Sequence, residues 1–423
     1  MYCKNNLLKT LYFLILFIII FQSICFASDD LYVWSSDYNS TIQTSNPVNS
    51  NTQSETDSNI DDTKTNNFLN LESGSAILIE QESGQILYEH NIHEKLRPAS
   101  VTKVMSILLI MEAIDSGKIS LDDKVPCSEK ARAMGGSQIW LNETESLTVN
   151  EMLKAICIVS ANDAVVAMAE FISGSEEAFV EKMNLRAKEL GMNDTCFKNC
   201  HGIDEDGHLT SSYDIALMSR ELLKNHPSIT NYTTIWMDTL RDGKSELVNT
   251  NKLIRNYKGA TGLKTGSTSL ALYNLSASAT RDSLSLIAVI MKAPSTKLRF
   301  SEAQKLLDYG FNNYSYKEFA KKGDFVKNIY VSKGIEKTIN AVFETNSGIL
   351  LKKGQEKDIV QSINIGENLS APIYKGQKIG EVCYSLNGNL VATCNIVSDG
   401  DVQKDNFGNI LLNICKKWFC LLR

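Results

Sequence analysis

Pro98-Ala99-Ser100-Val101-Thr102-Lys103 leads straight into Val104-Met105-Ser106-Ile107-Leu108-Leu109-Ile110-Met111, a mostly apolar run. Proline suits the first helical turn, where its missing N–H would have no partner anyway. The sequence therefore predicts a helix from Pro98 through about Ile114. Residues three apart share a helix face, so Lys103 is placed to touch the Ser100 hydroxyl. A serine alcohol is a weak nucleophile until a base takes its proton. Lysine becomes such a base when burial or a nearby cation lowers its pKa. The helix N-terminus adds a positive dipole end for developing negative charge. Alone, S-x-x-K is a weak signal, because surface helices carry it by chance.

Two further motifs follow in order. Ser160-Ala161-Asn162 falls between two expected helices. Its hydroxyl and amide, two apart in a turn, can face one cleft, although N-capping by Ser160 is the plainer reading. Lys264-Thr265-Gly266 opens an expected strand. Glycine there lets a substrate backbone lie close, while Lys264 supplies fixed positive charge and Thr265 a hydroxyl. S-x-x-K, S-x-N and K-T-G in this order are the set of the penicillin-binding proteins and class A β-lactamases. Pro98-Ala99-Ser100-x-Thr102-Lys103 resembles the low-molecular-mass penicillin-binding proteins, the serine-type D-Ala-D-Ala carboxypeptidases. Gly136-Ser137, Ser160-Ala161-Asn162-Asp163, Leu190-Gly191-Met192 and His201-Gly202-Ile203-Asp204 are similar too. The resemblance covers about 70–400.

That resemblance implies an acyl-enzyme that removes the terminal D-alanine of a peptidoglycan peptide and is inhibited by β-lactams. It implies Ser100 as nucleophile and Lys103 as general base, with Ser160 and Asn162 relaying protons and holding the peptide. It implies that Lys264 and Thr265 bind the terminal carboxylate, beside Gly266. The backbone N–H groups of Ser100 and Ser267 would form the oxyanion hole. Family members place an arginine on the strand after K-T-G. Here Leu284-Ser285-Leu286-Ile287 occupies that strand, leaving Arg281 or Arg299 to compensate or the carboxylate more weakly held. No metal or nucleotide cofactor is implied. A β-lactamase is disfavoured because no Glu-x-x-Leu-Asn pattern stands between the second and third motifs. A D,D-endopeptidase would use the same residues, and a silent wall-binding protein would not need an intact Ser100 and Lys103.

Outward from the motifs, the chain divides into five expected parts. Residues 1–27 read as a secretory signal, with Lys4 and Lys9 before the apolar Leu11 to Phe21 and a cut after Ala27; an uncleaved anchor is the alternative. Residues 28–67 are rich in Ser, Thr, Asn and Asp and read as a disordered tether. Residues 68–316 carry the motifs. Strands at Ser75–Glu80 and Gln85–Glu89 should form a hairpin about Ser83-Gly84. Thr148-x-x-Glu151 is a capping box for a helix toward Ile158. Helices are expected at Ser160–Ile172, Glu176–Leu190 with Gly191 at C′, Ser212–Lys224, and Ser295–Tyr309 closing at Gly310. Strands are expected at Tyr273–Thr280 and Leu284–Met291. The order indicates an α+β domain with one antiparallel sheet and a helical cluster.

Residues 317–400 alternate short Val/Ile-rich runs with Gly, Asn and Lys turns, which indicates a small all-β domain. Leu386-Asn387-Gly388-Asn389 is a two-residue hairpin signal. In 401–423, Phe407, Leu411, Ile414, Trp418 and Leu422 recur at helical spacing beside Lys416, Lys417 and Arg423. That pattern fits an amphipathic helix in a membrane interface, or a helix packed on the β domain. The formal charge of −6 argues against nucleic acid as a partner. Cys383 and Cys394 flank the hairpin and could face each other. Cys196, Cys200 and His201 are expected to be structural or disulfide-forming, since no second ligand cluster accompanies them for a metal. Export to the outer face of the cytoplasmic membrane or the cell-wall space completes the expectation.

Overall fold

The computed structural model describes residues 67–406, except 356, 367 and 368, together with 408 and 411. The expected signal, nearly all of the tether and most of the tail lie outside the described residues. Among the described residues no helix is long and apolar enough to cross a membrane.

One antiparallel sheet organises the first part. Strands β1 (Ser75–Glu80) and β2 (Ile86–His90) form the expected hairpin, turning through Gly84 at φ +76°. Strands β3 (Ala260–Thr268), β4 (Leu272–Arg281) and β5 (Leu284–Ala293) complete the order β2-β1-β5-β4-β3. Alternate residues feed two separate cores. Ile77, Ile79, Ile287, Val289 and Met291 pack under the helical cluster. Leu78, Leu286, Ala288 and Ile290 pack against Phe300, Ala303, Leu306 and Leu307 on the other face. Burial on both faces explains why β1 and β5 read as continuous apolar runs.

The cluster contains α1 (Lys103–Asp115), α2 (Asn162–Ser173), α3 (Glu176–Glu189) and α4 (Ser212–Asn225). The capping box at Thr148 and Glu151 is present in both directions. Gly191 sits at C′ with φ +76°, as expected. On the opposite face lies α5 (Thr296–Asn313), capped by the Ser295 hydroxyl. The expected stop at Gly310 does not occur. Gly310 lies inside α5 because a Cβ there would stand 2.5 Å from Leu286 Cδ1, so its role is close helix–sheet packing.

The second part is all β, as expected. Strands β6 (Tyr314–Ala320), β7 (Phe325–Ser332), β8 (Thr338–Phe343), β9 (Ser347–Lys352), β10 (Ile359–Ile365), β11 (Leu369–Ser370), β12 (Lys378–Leu386) and β13 (Asn389–Ser398) follow in sequence. They form a sheet of order β10-β12-β13-β8-β7-β11 and a β6-β9 ribbon. The hairpin β12-β13 turns at Asn387 and Gly388, both at positive φ as a type I′ turn requires. Cys383 and Cys394 do not face each other. Cys394 opposes Val382 and Cys383 opposes Thr393, so the one-residue offset sends the thiols to opposite sheet faces. The described cysteines Cys127, Cys157, Cys196, Cys200, Cys383 and Cys394 are free thiols.

Candidate active site

The helix expected from Pro98 begins with a tighter piece. Ala99–Thr102 form a 3-10 turn, and α1 starts at Lys103. In a 3-10 turn residues three apart eclipse, which brings Lys103 Nζ within 3.2 Å of Ser100 Oγ. The same Nζ lies 2.6 Å from Asn162 Oδ1 and 2.6 Å from the His201 carbonyl. Lys103 is fully buried. Burial first, and the Lys264 charge second, push its pKa well below the ordinary lysine range. A neutral amine has two N–H bonds and one lone pair. Asn162 and His201 take the two N–H bonds, and the lone pair is left for the Ser100 hydroxyl proton.

The second motif is held from both sides. A π turn over Ala155–Val159 ends at Ser160, which adopts φ +66°. Ser160 therefore does not cap α2; the helix begins at Asn162, with Ala161 at the cap position and no side-chain cap bond. Freed from capping, Ser160 Oγ is buried with no protein partner. Asn162 Nδ2 donates to Gly135 O at 2.7 Å, which fixes the amide so that Oδ1 faces Lys103. Its backbone N donates to Ser137 O at 2.7 Å.

Lys264-Thr265-Gly266 lies mid-strand rather than opening a strand, since β3 starts at Ala260. β3 is a sheet edge, with β4 on one side. A Cβ on Gly266 would stand 2.9 Å from Pro98 O, Ser100 N and Val101 N, so glycine lets the strand close on the serine turn. Lys264 is fully buried and its Nζ donates to Thr265 O at 3.0 Å. Burial lowers its pKa to about 7. Thr265 Oγ1 donates to Thr250 Oγ1 at 2.8 Å, and Ser267 is exposed at the strand end. Thus Ser100, Lys103 and Asn162 meet directly, with Gly266 against the same turn. Of the two arginines, Arg281 stacks over Tyr257 and Phe311 and bonds Lys258 O. Arg299 is buried behind β3, donating to Gly266 O at 3.1 Å, with Nε unpartnered.

Other groups support the turn from positions far along the chain. Lys198 N–H donates to His208 Nδ1 at 2.9 Å, so Nε2 carries the ring proton. Nε2 donates to Thr102 Oγ1 at 2.8 Å, and that hydroxyl donates to Ala99 O at 2.8 Å. The chain pins the peptide that presents the Ser100 N–H. Burial lowers the His208 pKa to about 4, so the ring stays neutral near pH 7. Below Lys103, Glu176 accepts from Cys200 N at 3.2 Å and pairs with Lys130 at 2.9 Å. Cys200 Sγ lies 3.3 Å and His201 Nε2 3.4 Å from it. Cys200 and His201 are thus structural here, while Cys196 forms a backbone bridge with Leu209.

Residues 46–295 match the D-alanyl-D-alanine carboxypeptidase family. The chain belongs to that family. Residues 314–404 match the C-terminal domain of penicillin-binding protein 5. The D-alanyl-D-alanine carboxypeptidase DacF of Bacillus subtilis is 46% identical over 361 residues, covering 84% of this chain and 92% of that protein. Penicillin-binding protein 5 from Haemophilus influenzae superposes with a TM-score of 0.67 at 31% identity, covering 79% of this chain and 98% of that one. Penicillin-binding protein D2 from Listeria monocytogenes, in an ampicillin-bound form, gives 0.53 at 30% identity over 57% of this chain and 99% of that one. This carboxypeptidase is therefore a hydrolase with the penicillin-binding α+β fold followed by a β domain.

Proposed function

We propose that Ser100 attacks the penultimate D-alanine carbonyl of a peptidoglycan pentapeptide while Lys103 takes its proton. The Ser100 and Ser267 N–H groups receive the oxyanion. D-Alanine leaves with a proton relayed through Lys103 and Ser160, and water then releases the shortened peptide. Lys264 and Thr265 hold the terminal carboxylate, and Asn162 orients the donor peptide. The observation that carries this reading is the Lys103 amine, held by Asn162 and His201 with its third direction on Ser100 Oγ. Intact-protein mass spectrometry after penicillin treatment is expected to show one stable adduct, lost in Ser100→Ala. Rapid penicillin turnover without an adduct would indicate a β-lactamase instead. Neither adduct nor turnover would indicate a silent binding protein.

The domain division given above belongs to the same proposal. Residues 1–27 direct export and 28–67 tether the catalytic part at 68–316. The β part at 317–400 holds the site away from the membrane, and 401–423 rests on its outer surface. The support is compositional: apolar spacing with Trp418 and the basic Lys416, Lys417 and Arg423. Deleting the residues after Asp405 is expected to move the enzyme from the membrane fraction to the soluble one. Unchanged membrane residence would remove the tail from this role.

A further inference from the structure

Trp140 is 77% exposed, while its neighbours Ile139 and Leu141 are buried. It also adopts φ +60°, a conformation that bulky side chains rarely take. The backbone around it is clamped from two directions. The buried Asp163 carboxylate accepts from Ile139 N at 3.1 Å and Leu141 N at 3.0 Å. Arg241 donates to Ile139 O at 3.0 Å and Trp140 O at 3.4 Å. Arg241 is itself fixed by Glu145 at 2.7 Å and Ser245 at 2.9 Å. Among the described residues no aromatic ring packs on the indole. A large apolar side chain is thus held outward on a strained but rigid pedestal, and such outliers cluster at ligand sites.

The pedestal belongs to the catalytic cleft. Asp163 follows Asn162, the residue that holds Lys103, and Asn162 N bonds Ser137 O. Trp140 is three positions beyond Ser137, at most about 10 Å of chain. A donor peptide lying along β3 opposite Asn162 would pass this wall of the cleft. An extended peptide rises about 3.3 Å per residue. The side chain just upstream of D-Ala-D-Ala therefore falls within reach, whereas the glycan lies several residues further away. A fixed indole gives contact area at little entropic cost.

We propose that Trp140 is a specificity platform that stacks on the aliphatic part of the donor side chain immediately before D-Ala-D-Ala. This rests on the carboxypeptidase reading above. The test measures kcat/KM for D-alanine release from four donors: N-acyl-D-Ala-D-Ala, a pentapeptide with lysine at the third position, the same peptide with alanine there, and a disaccharide-linked lysine pentapeptide. Trp140→Ala is expected to lose about tenfold on both lysine donors, the scale of one aromatic contact. N-acyl-D-Ala-D-Ala and the alanine peptide should change less than about twofold on that scale. Trp140→Phe should retain most of the preference. Trp140→Gly relieves the positive φ, so its Tm should hold or rise while the preference disappears. Equal loss on all donors, or a lower Tm in Trp140→Gly, would make Trp140 a structural prop. No loss on any donor would remove the subsite. Loss confined to the disaccharide-linked donor would assign the platform to sugar and overturn the side-chain assignment. A wild-type enzyme that releases D-alanine from none of them would overturn the carboxypeptidase reading itself.

Discussion

Replacing Lys103 by methionine is expected to slow penicillin acylation of Ser100 by about a thousandfold, within the range for loss of a positioned general base. Methionine keeps the unbranched length and spares the pocket a large cavity. It leaves Asn162 Oδ1 and His201 O without their donor, costing about 1–3 kcal/mol for each buried group. The fold should survive that cost, so the loss belongs to chemistry. The pH profile of wild-type kcat/KM gives an independent check. As the proposed base Lys103 would act in its neutral form, and its pKa is well below the usual value. The rate should therefore rise as pH climbs through that depressed pKa. In the proposed mechanism Lys264 holds the substrate carboxylate as a cation, and its pKa is about 7. Its charge is lost as pH rises through that value, so the profile should fall on the alkaline side. Because the two lysines feel each other, the limbs report the pair rather than either group alone. Lys264→Gln should lower the maximum and remove the alkaline limb. Acylation within tenfold of wild type in Lys103→Met would take the base role from Lys103.

The parts legible in the sequence were those whose chemistry sits at a fixed local spacing. Ser100 and Lys103 are one turn apart, so a pattern reveals them together. Strands β1 and β5 were legible because two-sided burial leaves an apolar run. The rest depended on contacts between distant residues. Lys103 finds His201 O across 98 positions, and Thr102 finds His208 across 106. No local spacing ties Lys103 to His201 or Thr102 to His208. Ser160 reads as an N-cap because serine favours that place, but the π turn before it carries the chain into a left-handed conformation instead. Gly310 reads as a helix stop, yet Leu286 needs its missing Cβ. The hairpin at Asn387-Gly388 was legible from its turn residues, while the facing of Cys383 and Cys394 was not. Pairing register decides facing, and a slip of one residue reverses it.

Gly202→Ala is expected to be the most damaging single methyl group near the site. Gly202 has φ +92°, and an added Cβ would stand 1.9 Å from Ala99 O and 2.9 Å from Ser100 N. Backbone atoms, not flexible side chains, block the space. Ala99 O already accepts from Thr102 Oγ1, so it cannot retreat without breaking the His208–Thr102 chain. Either the Ala99–Ser100 peptide moves, misplacing the N–H proposed to receive the oxyanion, or the His201–Gly202 segment moves, taking its carbonyl off Lys103 Nζ. A misplacement of about 1 Å costs on the order of a hundredfold in rate. The strain should also lower stability by roughly 3 kcal/mol, at the upper end for single substitutions. Gly174→Ala provides the comparison. It has φ +85° but nothing within 4 Å of its added Cβ. It should cost only about 1 kcal/mol for the left-handed backbone, with acylation unchanged. Thermal melts and penicillin acylation rates of the two variants separate the causes. If Gly202→Ala behaves like Gly174→Ala in both, the close approach to Ala99 does not constrain the site.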